Sequence, residues 1–544
     1  MSRMKPTRLR APSNDGGLLA SPPLDEADAL VDANIRRSAS WEHDFQGRPA
    51  SWLRGQVRRQ AVAEAVAYLR EIGVEPPAVA EGGPDGLVVT GHQPEMFHPG
   101  VWVKNFAAAG IAGRRGAPAL NLVVDDDIPK AASIRVPSLD GGRLVVRRVE
   151  FDRWEGEAPY EDLPVRDEGF FASFDARVRE ELGGLVADPI VDAYWPEIGR
   201  FRDGGAPLGY RLAAARRRLE GSWGVANLEV PFSRLCQTEG FAWFASHLLA
   251  HLARFQSVHN QALREYRALY GIRSKNHPVS ALKSEGDWRE APFWAWRSST
   301  PRRRPLMVRQ DARTMLLRIS GEPDPFLELP LAPDREGCCA VERLLELPAM
   351  GVRLRTRALT TTMFSRYLLS DLFIHGIGGA KYDELGDAVS RRFFDAEPPG
   401  FLTLSLTSWL GLPEASASPE ALAAVGREIR SLEYNPDRHL DPDLTSEQAR
   451  LIAEKRALAA ADPAGHRERR ERFRRFRAIN EALHPLVESR LEAAGEERDR
   501  LAAALDVNRL ARNREYSMVL HSQERLRRVL LSYAEGAVTA KAAP

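Results

Sequence analysis

The stretch from Leu87 to Lys130, LVVTGHQPEMFHPGVWVKNFAAAGIAGRRGAPALNLVVDDDIPK, constrains the fold of this chain more than any other. Leu87, Val88 and Val89 are a short apolar run that Thr90 and Gly91 stop. A polar loop with His92, Gln93, Glu95 and His98 follows, and Pro99–Gly100 opens an apolar helix that ends near Gly113. The run from Ala119 to Val124 reads as a second strand, stopped by Asp125, Asp126 and Asp127. Short, wholly apolar strands joined by a helix belong to a parallel sheet. Such a crossover is right-handed, so both strands end at one edge, where open α/β sheets bind ligands. Two histidines and three carboxylates are expected to share one crevice.

The chain has 544 residues, enough for two or three structural units. Residues 1–48 are rich in Pro, Gly, Asp and Ser and read as a surface arm with one short helix near Leu24 to Arg37. Residues 49–277 read as the first part of the α/β core. They begin with a helix over Ala50 to Ile72, whose apolar residues recur at helical spacing, and a Pro/Gly-rich link over 73–86 follows it. Strands are expected over Ser133 to Val136, Arg143 to Phe151 and Asn227 to Phe232. Helices are expected over Pro196 to Glu220 and, in one piece, over Gly240 to Tyr270. Residues 278–345 change character. Trp288, Phe293, Trp294 and Trp296 stand beside Arg297, Arg302, Arg303 and Arg304, and the pattern is that of a β-rich insertion. Such rings and guanidinium groups can stack a base or sugar, but a small β core with the arginines facing solvent is the preferred reading.

Residues 346–444 read as the second part of the α/β core. VRLRTRAL is a strand, TTMFSRYLLSDL a helix, and LFIHGIGG a strand running into a glycine turn before the next helix. His375, Gly378, Gly379, Lys381 and Asp383 lie at that turn, where a helix N-terminus can hold an anion. Residues 445–544 turn to Ala, Arg, Glu and Leu. Helices are expected over Ser446 to Ala460, His466 to Arg512 and Ser522 to Ala534, with Pro485 kinking or dividing the long one. Phe473, Phe476, Ile479, Leu483, Val487 and Leu491 follow a 3-4 spacing, so these helices need a partner, either their own hairpin or a second subunit.

Lys+Arg number 76 against 75 Asp+Glu, which gives no electrostatic argument for a nucleic-acid partner. Cys236, Cys338 and Cys339 fit no zinc spacing or disulfide framework, as expected of a reducing compartment. No apolar run reaches the ~20 residues of a membrane span, and the basic start lacks the apolar core of a signal peptide. The expectation is a cytoplasmic protein acting on a small molecule. His247 and His251 have the i,i+4 spacing of helical metal sites, but Leu248 stands where a zinc peptidase helix has glutamate, so surface or packing histidines are the preferred reading.

The opening stretch resembles the bacillithiol biosynthesis cysteine-adding enzymes, the BshC-like family. The resemblance rests on Thr90, Gly91, His92 and Gln93, then Trp102 and Lys104 on the helix, then Asp125 to Asp127. RYLLSDLFIHGIGGAKYDEL is similar to that family's later strand and glycine pair, and residues 446–512 match its dimerising coiled coil in character. HQP followed by an aromatic and Pro-Gly is also similar to WbqC-like proteins. The resemblance implies a Rossmann-like, nucleotidyltransferase-like core, a homodimer through the long helices, and ligase- or transferase-like chemistry. His92 stands in place of the family's first glutamine, and the acidic segment lacks its embedded histidine, so the family's substrate does not carry over.

His92 and His98 suit general acid–base work or oxyanion binding. In a continued strand Asp125 and Asp127 would share one side and Asp126 the other, able to bind Mg²⁺ with phosphate oxygens or to receive an amine. Lys104 can neutralise a carboxylate or phosphate. The plainer reading makes the aspartates turn caps and His98 a helix cap. The catalytic candidates are His92, His98 and Asp126. The binding candidates are Thr90, Gly91, Gln93, Lys104, Asp125, Asp127, His375, Gly378, Gly379, Lys381 and Asp383. Three functions fit: a ligase or transferase joining an amine or thiol to a small metabolite, with ATP or another nucleotide and Mg²⁺ as candidate cofactors; a metal-dependent hydrolase; and a non-catalytic ligand-binding scaffold.

Overall fold

In the computed structural model the described residues are 9–79, 86–153, 156–202, 204–273, 279–331 and 337–536. The chain divides into two compact units. The first holds residues up to Val136, Arg147–Leu410 and the segment from Arg514, and the second holds Pro137–Val146 and Gly411–Asn513.

The first unit is built on a six-stranded sheet. Its order is Leu18–Ser21, Phe401–Leu406, Leu372–His375, Val88–His92, Leu120–Val123 and Leu228–Pro231. The last five are parallel and the first is an antiparallel edge. Val88, Val89, Leu120, Leu122, Leu228 and Val230 are all buried, as parallel strands covered on both faces require. The helix Pro99–Arg114 packs on Phe401–Leu406 and Val88–His92, and the helix Ala50–Glu71 packs on Leu228–Pro231. Close approach is enforced at Gly110, where an added Cβ would lie 2.1 Å from the carbonyl oxygen of Tyr533. That contact brings in the helix Gln523–Ala534, so the end of the chain belongs to the sheet-bearing unit rather than to the helices before it.

Residues 1–48 are not only a surface arm. Leu18–Ser21 is a strand of the main sheet, paired register for register with Leu406 to Thr403, and a helix runs over Ala27–Ala39. The β-rich segment forms an antiparallel sheet in the order Leu327–Pro330, Thr314–Ile319, Thr300–Gln310, Trp288–Arg297, Val352–Thr356. Val352–Thr356, expected in the α/β core, pairs instead with Trp288–Arg297. Its alternation of polar and apolar residues suits a half-buried antiparallel strand. The start of the expected insertion, at 278, lies outside the described residues.

The expected helix over 240–270 is two, Glu239–Ala250 and Leu252–Tyr270, broken at His251. The first is buried almost all round and the second is amphipathic, so one helix enters the core and the other lies on it. Similarly, 196–220 divides into Val191–Gly199 and Leu208–Ser222. The expected His247–His251 pair therefore straddles a break. The Nε2 of His247 meets that of His43 at 3.0 Å, and Phe45, Phe393 and Phe394 surround its ring.

The second unit holds the helices Pro419–Tyr434, Ser446–Ala460, His466–Leu483 and Glu488–Ala511. Thr445 and Gln448 form a reciprocal capping box at Ser446, and Pro485 divides the long stretch through a single tight turn over His484–Leu486. Pro419–Tyr434 packs along Glu488–Ala511, and Ser446–Ala460 on His466–Leu483. Leu432 and Val487 centre one small core, and Ile479 and Leu483 centre another. Phe473, at the far end of the apolar series, is 68% exposed.

Candidate functional site

The parallel strands are laid down outward from Val88–His92. The chain continues through Leu120–Val123 to Leu228–Pro231 on one side, then returns to Leu372–His375 and Phe401–Leu406 on the other. The strand order therefore reverses between Val88–His92 and Leu372–His375. Crevices at such reversals, beyond the carboxyl ends, are where open α/β sheets take ligands. His92 and His375 end those two strands.

The loops after the first two strands are tied together. The carbonyl of His92 accepts the Val124 amide at 2.9 Å, and the Gln93 side-chain amide donates to Asp127 at 2.8 Å. Thr90 is buried and donates its hydroxyl to the Ile374 carbonyl at 3.1 Å, fastening the two strands that flank the reversal. The partly buried His92 has one ring nitrogen 3.2 Å from the Gln93 carbonyl. Burial, with Lys104 nearby, lowers its pKa to about 3, so the ring is neutral in a physiological medium.

His98 occupies the cap of the Pro99–Arg114 helix. Its Nδ1 accepts the Gly100 amide at 3.1 Å, and its Nε2 lies 3.7 Å from Glu515. The plain capping role foreseen for it is realised, and one ring nitrogen remains turned to the returning chain end. Lys104, one turn further, is 2% exposed and donates to the Gly91 carbonyl at 2.8 Å. Among the described residues no carboxylate pairs with it, and burial alone brings its amine down to about 7. His92, His98 and His375 all feel its charge.

The three aspartates differ sharply. Asp125 accepts the Ser233 amide at 2.9 Å and the Ser233 hydroxyl at 2.5 Å. Burial and Glu161 still raise its pKa to about 7. Asp127 is occupied by Gln93, by the Ile128 amide and by Arg303 at 2.9 Å. Asp126 is 2% exposed, and no donor among the described residues bonds its carboxylate. Burial first, then Asp125, Glu161 and Asp127, push its pKa well above the usual carboxylate range. Glu161 is itself held by a two-bond pair with Arg355, at 2.8 and 2.6 Å.

On the other side of the reversal, His375 lies 2.5 Å from Asp383, and Arg366 bonds the same carboxylate at 2.7 Å. Burial opposes the charge on Asp383, but His375 and Arg366 outweigh it and hold the carboxyl below its ordinary range. Burial lowers the pKa of the His375 ring, against the opposing pull of Asp383. Gly378 and Gly379 fall in the first turn of the helix Ile377–Phe394. A Cβ at Gly379 would meet the His375 ring at 2.7 Å, whereas one at Gly378 meets nothing. Lys381 is exposed, and its backbone carbonyl accepts the Tyr266 hydroxyl, so its side chain stands apart from this cluster.

No family model matches the sequence. No curated protein matches it either. The site therefore rests on its own geometry.

Several contributors lay beyond the expected set. Arg303 was read as facing solvent with its neighbours. Arg302 does so, but Arg303 turns inward to Asp127 and to the Asp126 carbonyl, and stacks over Trp294. Arg357 lies over the same indole at 4.1 Å. Ser233 follows a parallel strand, a position that marks it in the sequence. Arg514 and Glu515 arrive from the chain end, and Arg514 bonds Ser405 and the Leu406 carbonyl. Among the described residues no three His, Cys, Asp or Glu side chains are grouped to hold a metal ion.

Proposed function

We propose that this chain is an enzyme of ligase or transferase type that joins an amine or thiol to a small anionic metabolite, in a Rossmann-like core. One observation carries the reading. At a single sheet edge the fold buries one amine, Lys104, bonded to the Gly91 carbonyl and to no carboxylate among the described residues, and one carboxyl, Asp126, that no described donor bonds and that feels only the more distant charge of Arg303. Burying either group is unfavourable, and strongly perturbed, buried groups at the carboxyl edge of such a sheet are candidates for a functional site. A metabolite carboxylate or phosphate satisfies Lys104, with His98 and the neutral His92 beside it. An ammonium, or a thiol giving up its proton, satisfies Asp126. His92 begins each cycle unprotonated and accepts a proton once a bound anion raises its basicity.

The resemblance to the cysteine-adding family supports the same reaction class, and its long helices support a homodimer through the second unit. A nucleotide, with Mg²⁺, is the cofactor class such a condensation uses.

The test is a thermal-shift screen of ATP, other nucleotides, carboxylates, sugar phosphates, small amines and divalent metals. It is run on the wild type, Lys104→Met, Asp126→Asn and His92→Ala. An anionic metabolite or nucleotide is expected to stabilise the wild type and not Lys104→Met. Stabilisation by metal alone, lost in His92→Ala, would overturn the proposal in favour of a metal-dependent hydrolase.

A further inference from the structure

Away from the sheet edge, Cys338 and Cys339 open the helix Cys338–Leu345. Cys339 is exposed and Cys338 partly so, and their sulfurs lie 3.8 Å apart. The helix that carries the pair is anchored. Ala340, Val341 and Leu344, on the other face of this short helix, are buried, and the Gly337 amide donates to the Gln46 carbonyl at 3.2 Å.

Adjacent residues in helical geometry are poorly placed for a disulfide. Their Cα atoms are about 3.8 Å apart across a trans peptide, below the ~4.4–6.8 Å that ordinary disulfides span. The 3.8 Å sulfur separation matches something else. Two metal–sulfur bonds of about 2.3 Å meeting at the tetrahedral angle place their sulfurs about 3.8 Å apart. The sulfur spacing thus equals the edge of a tetrahedral thiolate site.

We propose that Cys338 and Cys339 form a chelating dithiolate for a thiophilic tetrahedral cation of the Zn²⁺ or Cd²⁺ kind, with solvent or a small soft ligand completing the shell. Among the described residues no third His, Cys, Asp or Glu is grouped with them to hold a metal ion, and Glu342 on the same helix acts on Cys339 through its charge. Binding exchanges protons for metal. One divalent cation and two thiols give one bis-thiolate complex and two released protons, with no change of oxidation state. The thiols hydrogen-bond each other, which raises the Cys339 pKa, so the site fills more readily as pH rises. The proposal is independent of the reaction at the sheet edge.

The experiment is titration of the reduced full-length protein with Cd²⁺, following the ultraviolet sulfur-to-metal charge-transfer band and the protons released. Wild type and Cys236→Ser, whose sulfur is buried elsewhere, are expected to bind one ion and release two protons. Cys338→Ser and Cys339→Ser should each bind about tenfold more weakly or worse. Cys339 is exposed and Cys338 packs partly against the core, so circular dichroism checks that each variant folds. No band in the wild type, or an undiminished band in either single variant, overturns the proposal.

Discussion

Lys104 is the residue at which folding and function pull hardest against each other. Its amine falls from 10.5 to about 7 on burial, so at neutral pH an uncompensated lysine costs the fold about 4 kcal/mol. Lys104→Met keeps the aliphatic volume and removes that cost. The variant is expected to unfold at higher denaturant concentration than wild type while losing its response to anions. A lower midpoint would mean that the Gly91 contact is structurally essential. The sign with pH follows from the lowered value. The penalty is complete below about 7 and disappears as pH rises toward 10.5, so the gap between variant and wild type should narrow over that window. Asp126 runs the other way. Its raised pKa leaves no penalty below 3.8, and the penalty grows above it, so Asp126→Asn should stabilise increasingly from mild acid to neutral pH. Guanidinium titrations at several pH values measure both. His92, Lys104 and the aspartates were legible as a cluster because strand ends and turn residues marked them. Which aspartate lacked a partner was not, since Ser233 and Arg303 approach from 108 and 176 residues away in sequence, and Arg303 from a different sheet.

At the scale of elements, the helix Ile377–Phe394 fixes His375 through its first turn. Gly379→Ala should push the ring off Asp383 and cost about 1–3 kcal/mol. Gly378→Ala, in open space, should be neutral or stabilise by up to ~1 kcal/mol. Paired denaturation curves decide this, with the His375 ring resonance followed by NMR. If both alanines behaved alike, the contact at Gly379 would not be what requires glycine there. Elements were readable where one period dominates: Ser446–Ala460 was expected with both ends correct, because Thr445 caps it and Asp462–Pro463 follows it. The reading failed at His251, because periodicity continues smoothly across a break that neither proline nor glycine marks. It failed again at Val352–Thr356, whose alternation says strand but cannot say which sheet.

Over the whole molecule, the helical unit is an insertion in the chain of the sheet-bearing one. The chain leaves after Leu410 and returns at Arg514, whose guanidinium bonds Ser405 and the Leu406 carbonyl at 2.7 and 3.0 Å. The ends of the Gly411–Asn513 stretch therefore lie close together, which composition alone could not reveal: residues 445–544 read as one helical region, and burial of Tyr516, Met518, Val519 and Leu520 returns the last part to the core. Insertions whose ends meet are tolerated because the host can close without them. Replacing Gly411–Asn513 with a short Gly/Ser linker should leave a folded protein that keeps the anion response through Lys104. If the full chain is a dimer through its helices, light scattering should give a dimer for the full chain and a monomer for the shortened one. A shortened protein that fails to fold would show that the sheet needs the helical unit, and one that stays dimeric would move the interface to the sheet-bearing unit.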